Sequence, residues 1–378
     1  MRVTVGGKEL KAAISWGSKG VNRNAGDSSS SAQTIMELEG STLTVKSFDG
    51  RRFFSASAPI SGLSSTENAS VRVFGPHLSA AVNVLTDEPV TLDIQDSEVI
   101  VILPRSQFSI ARSSLKAPKF PDTPDVIGSI PVADLRKAAT RAATTALSGD
   151  GLPIPALGAV CFDFSPEKRT VRLEATDRIT LLVRDIEYVP EADAAHQILL
   201  IPSGSVKSLL AGMGDEGDVT LRANDMFFGI EGDNFAGYVG LESVEPVAYE
   251  KLMAMELDKR FTFDRLALIA AIRNVTTMST QNTEVYFHIE EGSLEVSDKP
   301  MKSKVDIDIS SDGEGGIPEG ETYVIKFNPA ALNPALAAAV TPVLSMSFIA
   351  ETKPVVFRET GVNGVDDKTL FNMVMPLR

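Results

Sequence analysis

The side chains best able to do covalent or metal chemistry are few and far apart in this chain. Its three histidines, His77, His196 and His288, each stand alone, and the single cysteine, Cys161, has no CxxC partner. A zinc cluster is therefore not expected, and a disulfide within the chain is impossible. Cys161 lies between Val160 and Phe162 in a strand-like run, the setting of a buried thiol. The glycine runs Gly204-Ser205 and Gly313 to Gly316 lack the Gly-Lys-Ser or Gly-Lys-Thr ending of a phosphate loop and the strand, turn and helix context of a dinucleotide fingerprint. Carboxylates are plentiful, yet no spacing singles out a pair for acid–base work. No catalytic residue, metal site or cofactor is expected, and an enzyme is the weakest functional class.

The residues that do form a pattern are cationic. Formal charge is −14, from 50 acidic and 36 basic residues, which by itself argues against nucleic acid because like charge repels phosphate at long range. The distribution is uneven. Helical runs around 7 to 20, 133 to 147, 203 to 212 and 264 to 275 carry Lys8, Lys11, Lys19, Arg136, Lys137, Arg141, Lys207, Arg265 and Arg273 against only Glu9, Asp134 and Asp264. The acidic excess sits in strands and loops, as in Asp215-Glu216-Gly217-Asp218 and Asp312-Gly313-Glu314. Two readings of the basic helices stay open at this point: ordinary solvated faces, or a surface that meets phosphates.

The elements that position these residues recur. A helical run Lys8 to Lys19 precedes Leu43 to Asp49; Asp134 to Leu147 precedes Val171 to Asp177; Asp264 to Val275 precedes Leu294 to Asp298. The aspartate closing each strand falls at 49, 177 and 298, intervals of 128 and 121 residues, which is domain size and implies three duplicated domains. Each third reads as two helices and two groups of strands, an α+β class. Second helices are expected near Pro76 to Leu85, after Ile201-Pro202 with Ser203 as cap, and at Pro329 to Val340, the last bent or broken by Pro334. In the second third Leu135, Ala138, Ala139, Ala142 and Ala146 share a packing face; in the last, Phe263, Leu266, Ile269, Ala270 and Ile272 mark the helix. Linkers are expected near Pro118 to Gly128 and Ser243 to Ala254, and loops at 22 to 31 and Ser310 to Gly320. Hydrophobic residues at 43% and charged residues at 23% suit a soluble globular protein; no run of roughly 18 apolar residues offers a membrane span, and Met1 to Val5 lacks the apolar core of a secretion signal.

Four segments, in order, resemble one family. Ser106-Gln107-Phe108-Ser109-Ile110 followed by Lys119-Phe120-Pro121-Asp122-Thr123-Pro124 resembles the junction of the first and second domains of bacterial DNA polymerase III sliding clamps, the beta subunit. Leu152 to Val160 resembles the segment leading into the second domain's first strand. Leu173-Glu174-Ala175-Thr176-Asp177 with Leu181 is similar to that family's Ala-Thr-Asp signature, and Met373 to Arg378 resembles its C-terminus. The resemblance implies clamp domains at 1–127, 128–250 and 251–378, each with two helices backed by antiparallel sheets. It further implies a head-to-tail ring of two three-domain subunits, a homodimer, with helices lining the hole and sheets closing across domain boundaries.

The implied function is a processivity factor that encircles double-stranded DNA without sequence preference and tethers the replicative DNA polymerase and the clamp loader. Cytoplasmic, nucleoid-associated placement and no membrane partner follow from the same resemblance. Lys11, Arg136, Lys137, Arg141, Lys207 and Arg273 are the expected DNA-facing cations. Leu157 in the strand leading into the second domain, Thr176 and Leu181 at the strand turn, Leu252 in the following linker, and the tail Met373, Val374, Met375, Pro376, Leu377 and Arg378 are the expected peptide-binding groove. Ordinary core or turn is the plain alternative for Leu157, Thr176 and Leu181. Two departures bear on partner choice: Arg178-Ile179-Thr180 stands where the family usually has Gly-His-Arg, and no leucine follows Arg378. The rival reading is a non-catalytic homo-oligomeric structural module built from the same duplicated domains.

Overall fold

Alternating apolar residues drive most of the chain into antiparallel strands, and short apolar-faced runs form helices against them. The computed structural model describes residues 1–26, 28–62, 68–149, 152–278, 284–298, 303–311, 315–361 and 365–378. Residue 27 of the first expected loop, and the acidic run 312–314 with the glycine at 313, lie outside the described residues. Seven α-helices occur among them: α1 Gly7–Gly17, α2 Gly75–Ala81, α3 Val132–Thr145, α4 Ser203–Leu210, α5 Glu250–Met253, α6 Arg265–Met278 and α7 Pro329–Ala337.

By internal contacts the chain divides into two compact units, and each third of the repeat does not map onto one of them. The first unit holds Met1–Arg136, Tyr188–Ala195 and Gly204–Leu241; the second holds Lys137–Glu187, His196–Ser203 and Glu242–Arg378. The first is built on a 13-stranded sheet that runs from Val189–Pro190 through Asp125–Pro131, Asp218–Ala223, Phe227–Gly232 and Phe235–Gly240 to Arg52–Ser61, Arg2–Val5, Val90–Ile94, Glu98–Leu103 and Ser106–Ala111. Strands from the second third thus continue directly into strands from the first: Phe235 pairs with Ala56 and Tyr238 with Phe53. Helix α1 lays Leu10, Ala13, Ile14 and Trp16 on this sheet. Trp16 donates its indole N–H to the Ala236 carbonyl at 3.0 Å and meets Phe54 edge-on, with ring centroids 5.5 Å apart. A side chain at Gly17 would lie 2.2 Å from the Val45 carbonyl oxygen, so glycine is what lets the helix end against that strand. Lys19 lies over the Trp16 ring at 3.9 Å and donates to the carbonyls of Ser208, at 2.9 Å, and Ala211, capping the C-terminal end of α4.

The second unit is built on a 12-stranded sheet in the order Gln197–Pro202, Ala159–Ser165, Thr170–Thr176, Thr180–Glu187, Leu370–Val374, Val355–Glu359, Val343–Phe348, Lys259–Asp264, Lys304–Ser310, Ser293–Ser297, Val285–Glu290 and Tyr323–Phe327. The last strand of the chain is therefore inserted between a strand of the second third and one of the third, with Val183 opposite Phe371 and Leu181 opposite Met373. In α3, Ala138, Ala139, Ala142 and Ala143 are buried, as is Ala146 just after it, and their small side chains permit close approach.

Several expectations are corrected. Pro334 lies inside α7 and does not break it, because the missing N–H removes a single bond of a nine-residue helix whose start is capped by Asn328 accepting from the Ala330 amide at 2.9 Å. In α6 the buried face is Leu268, Ala271, Ile272 and Val275, and Leu266 is exposed. Asp264 caps that helix by accepting from the Ala267 amide at 2.7 Å. Ser203 is the first residue of α4 and its hydroxyl donates to the Leu147 carbonyl at 3.5 Å, so it is not a cap. The proline-rich linker is shorter than expected, since Asp125–Pro131 is a paired strand.

Candidate functional site

An apolar opening on the 12-stranded sheet grows from strand register. Cys161 stands opposite Glu174 and Leu200, Glu174 opposite Val183, and Thr176 opposite Leu181, so side chains from four neighbouring strands share one face. Residues Pro246, Val247 and Tyr249 close this face from the side. The result is an open depression of about 290 Å³ lined by Ala156, Ala159, Cys161, Glu174, Ala175, Thr176, Leu181 and Leu200 together with that segment. Beside it, Leu181, Val183, Tyr249, Val356, Phe371 and Met373 form a buried apolar cluster onto which Leu252, Met253, Leu257 and Met375 pack. Leu181 and Tyr249 belong to both, so the depression is backed by rigid core. Ile198, two residues before Leu200 on the same strand, and Ile179, in the turn between Thr176 and Thr180, are exposed apolar side chains.

The turn between the two central strands is held by Asp177, whose Oδ1 accepts from the amides of Ile179 at 2.9 Å and Thr180 at 2.6 Å and from the Thr180 hydroxyl at 2.9 Å. Thr176 donates its hydroxyl to the Thr180 carbonyl at 2.6 Å. Arg178 takes φ 76°, a left-handed conformation that glycine adopts without strain. The departure from the family's glycine therefore falls on the one residue of the turn whose backbone favours it.

Electrostatics inside the depression are unusual for an apolar site. Glu174 is 8% exposed, and burial pushes its carboxyl up to about 7; the Cys161 hydrogen bond and Arg172 oppose that rise, whereas Asp163 and Glu250 add to it. Arg172 is held two-pronged by Asp185, at 2.7 and 2.9 Å. The Cys161 thiol is pushed well up by its own burial and by Glu174, so it stays protonated. Among the described residues no group of three or more histidine, cysteine or acidic side chains is placed to hold a metal.

The expected groove residues are only partly brought together. Thr176 and Leu181 line the depression, while Leu252, Met373 and Met375 join the cluster beneath and beside it. Leu157 is not in a strand: it is buried in the 3-10 turn Pro155–Gly158, and its neighbour Ala156 reaches the opening instead. Val374 is a sheet residue paired with Thr180 and Val355. The tail is docked beyond it, with the Met375 amide donating to the Ile179 carbonyl and the Leu377 amide to the Lys326 carbonyl, both at 2.8 Å; Pro376 is buried and Arg378 exposed. Sequence reasoning missed Glu174, Leu200, Pro246, Val247 and Tyr249. The apolar spacing of Val247, Tyr249 and Leu252 was the one signal that could have found the closing segment.

The cationic helix residues separate into two groups. Lys11, Lys137, Lys207 and Arg273 are exposed. Arg136 is half-buried, donates to the carbonyls of Met213 and Gly214 and pairs with Asp215, bracing α3 against the loop after α4. Arg141 is half-buried too: burial pushes its guanidinium below the ordinary value, Glu359 opposes this, and Arg184 and Arg265 add to it.

No protein-family model matches the chain. It is 24% identical over 355 residues to the beta sliding clamp homolog GriR of Streptomyces muensis, covering 91% of this chain and 90% of that protein. It is also 24% identical over 391 aligned positions to the beta sliding clamp of Streptomyces coelicolor, covering 100% and 99%. Its backbone superposes on the Helicobacter pylori beta clamp bound to a DNA ligase peptide with a TM-score of 0.84 at 15% identity, over the whole of both chains. The fold is thus that of a three-domain clamp, α+β with repeated helix and sheet units. The particular family to which the chain is similar, in sequence and backbone along its full length, is the bacterial DNA polymerase III beta sliding clamp.

Proposed function

We propose that this chain is a non-catalytic DNA polymerase processivity factor. Two copies join head to tail into a ring around duplex DNA, and the depression beside Leu181 and Tyr249 captures a short peptide from the replicative polymerase or the clamp loader. The observation that carries this reading is the coincidence of a clamp fold over the whole chain with an apolar opening backed by core, on a fold whose Helicobacter pylori representative was solved with a DNA ligase peptide. The exposed cations Lys11, Lys137, Lys207 and Arg273 supply sequence-independent phosphate attraction, while the overall charge of −14 discourages binding elsewhere. A ring needs only weak phosphate contacts, since enclosure and not affinity holds the DNA.

The domain boundaries 1–127, 128–250 and 251–378 belong to this proposal, with the first falling inside the strand Asp125–Pro131. So does the contact between first and third domains of successive subunits, a heterologous interface closed by rotation. No helix among the described residues is long and apolar enough to cross a membrane, and a cytoplasmic, nucleoid-associated site of action follows from the proposed role. The direct test is fluorescence anisotropy of a labelled peptide from the C-terminus of the cognate polymerase. Saturable binding that is lost in Tyr249→Ala, with the fold retained by circular dichroism, supports the groove; binding unchanged in that variant assigns the peptide elsewhere.

A further inference from the structure

An ionisable side chain sits where an inserted apolar residue would be expected to meet only carbon. The strand register puts Glu174 between Cys161 and Val183, on the face that lines the depression together with Pro246, Val247 and Tyr249, and it is 8% exposed. A peptide side chain entering the opening removes the remaining water from this carboxyl. The surrounding charge does not compensate. Cys161 and Asp163 face it from the strand Ala159–Ser165, with His196 bonded to Asp163 at 2.7 Å; Glu250 faces it from α5; Arg172 lies on its own strand but is taken by Asp185 from the next. The hydrogen-bond partner of the carboxyl among these is the Cys161 thiol, a weak donor.

From this geometry we infer that Glu174 is a specificity determinant of the pocket, favouring partner peptides whose inserted side chain brings a hydrogen-bond donor or cation and penalising purely aliphatic ones. The inference rests on the peptide-binding reading above and deepens it by naming the chemistry of the partner. An ionised carboxylate buried under an aliphatic side chain loses its water and gains nothing, whereas a donor reaching it forms a charge-assisted bond in a site of low polarity. The raised ionisation range of the carboxyl, about 7, makes the penalty proton-linked. An aliphatic peptide binds the protonated form, so it takes up a proton above neutrality; a cationic one binds the ionised form.

The test uses the full chain and fluorescein-labelled synthetic hexapeptides ending in Leu-Phe, together with two counterparts in which lysine replaces the leucine or the phenylalanine, titrated by anisotropy between pH 6 and pH 8.5. For the wild type, affinity for the Leu-Phe peptide falls about tenfold per pH unit above roughly pH 7, while that for one lysine counterpart holds or rises. Glu174→Gln, which keeps the shape and an acceptor for the thiol, abolishes both effects; Glu174→Val, matching Val183 across the strand, is the second variant should the first fold poorly. Binding of all peptides with a pH profile and lysine preference unchanged by either variant overturns this inference and leaves the groove standing. Failure of every peptide to bind wild type and both variants at any pH overturns the groove, and this inference with it.

Discussion

Replacing Glu174 by glutamine is expected to make the free protein more stable above neutral pH, and the size of the gain follows from the site. In the folded chain burial holds the carboxyl at about 7 against an ordinary 4.5. Between those values the native state binds more protons than the unfolded state, so the contribution of Glu174 to stability falls as pH rises through this window and stays at its lowest above it. At 1.36 kcal/mol per unit the deficit is about 3 kcal/mol at most, and partial access of water through the mouth of the depression brings it to about 2 kcal/mol. Glutamine carries no charge to desolvate and still offers the Cys161 thiol an acceptor. Urea unfolding followed by far-UV circular dichroism, at several pH values between 4 and 8.5, reads the difference as a shift in midpoint at constant slope. The variant should exceed the wild type by about 2 kcal/mol at pH 8 and match it near pH 4. Parallel pH profiles for the two proteins would show that the carboxyl is solvated, and the reasoning about the pocket would fail with it.

Three further outcomes are expected. Arg178→Val, which puts a β-branched side chain at φ 76°, should cost about 1–2 kcal/mol in the same unfolding assay, while Arg178→Gly is neutral or slightly stabilising; equal effects of the two would remove the backbone argument. Glu359→Ala should cost about 3 kcal/mol, because a carboxylate with 3% side-chain exposure accepts from Arg184 at 3.0 Å and from the Val340 amide, and Asp367, 3.7 Å from Arg184, retains only part of the pairing. Deleting Met375–Arg378 should preserve the fold yet weaken peptide binding by about tenfold or more, since Met375 packs on the cluster beside the depression; unchanged affinity would place the tail outside the site.

Helix positions and most strands were legible because period and breaker agree locally: α1, α3, α4 and α6 fall where cationic, apolar-faced runs predicted them. The third copy's buried stripe was misjudged, since Leu266 to Ile272 is an unbroken apolar run and spacing alone cannot choose between Leu266 and Leu268. Strands of the type Asp125–Pro131 were hidden by flanking prolines, their pairing being decided by distant partners such as Asp218–Ala223. Glu174 was illegible for a related reason. In Val171-Arg172-Leu173-Glu174 the alternation puts both charges on one face, where Arg172 stays half-exposed and Glu174 is buried; the depression around Glu174 is shared with Pro246, Val247 and Tyr249, a segment far along the chain that the strand's own pattern does not announce. Leu157 was expected in a strand lining the groove and is instead buried in a 3-10 turn, because Pro155 sets that turn before the strand begins.

The central claim is topological, and retention on DNA tests it most directly. Loaded by its cognate clamp loader onto a nicked circular duplex and passed through a sizing column in high salt, the protein should travel with the circle and be released when a single cut makes the DNA linear. Equal retention on circle and linear duplex, or none on either, contradicts a ring that encloses DNA.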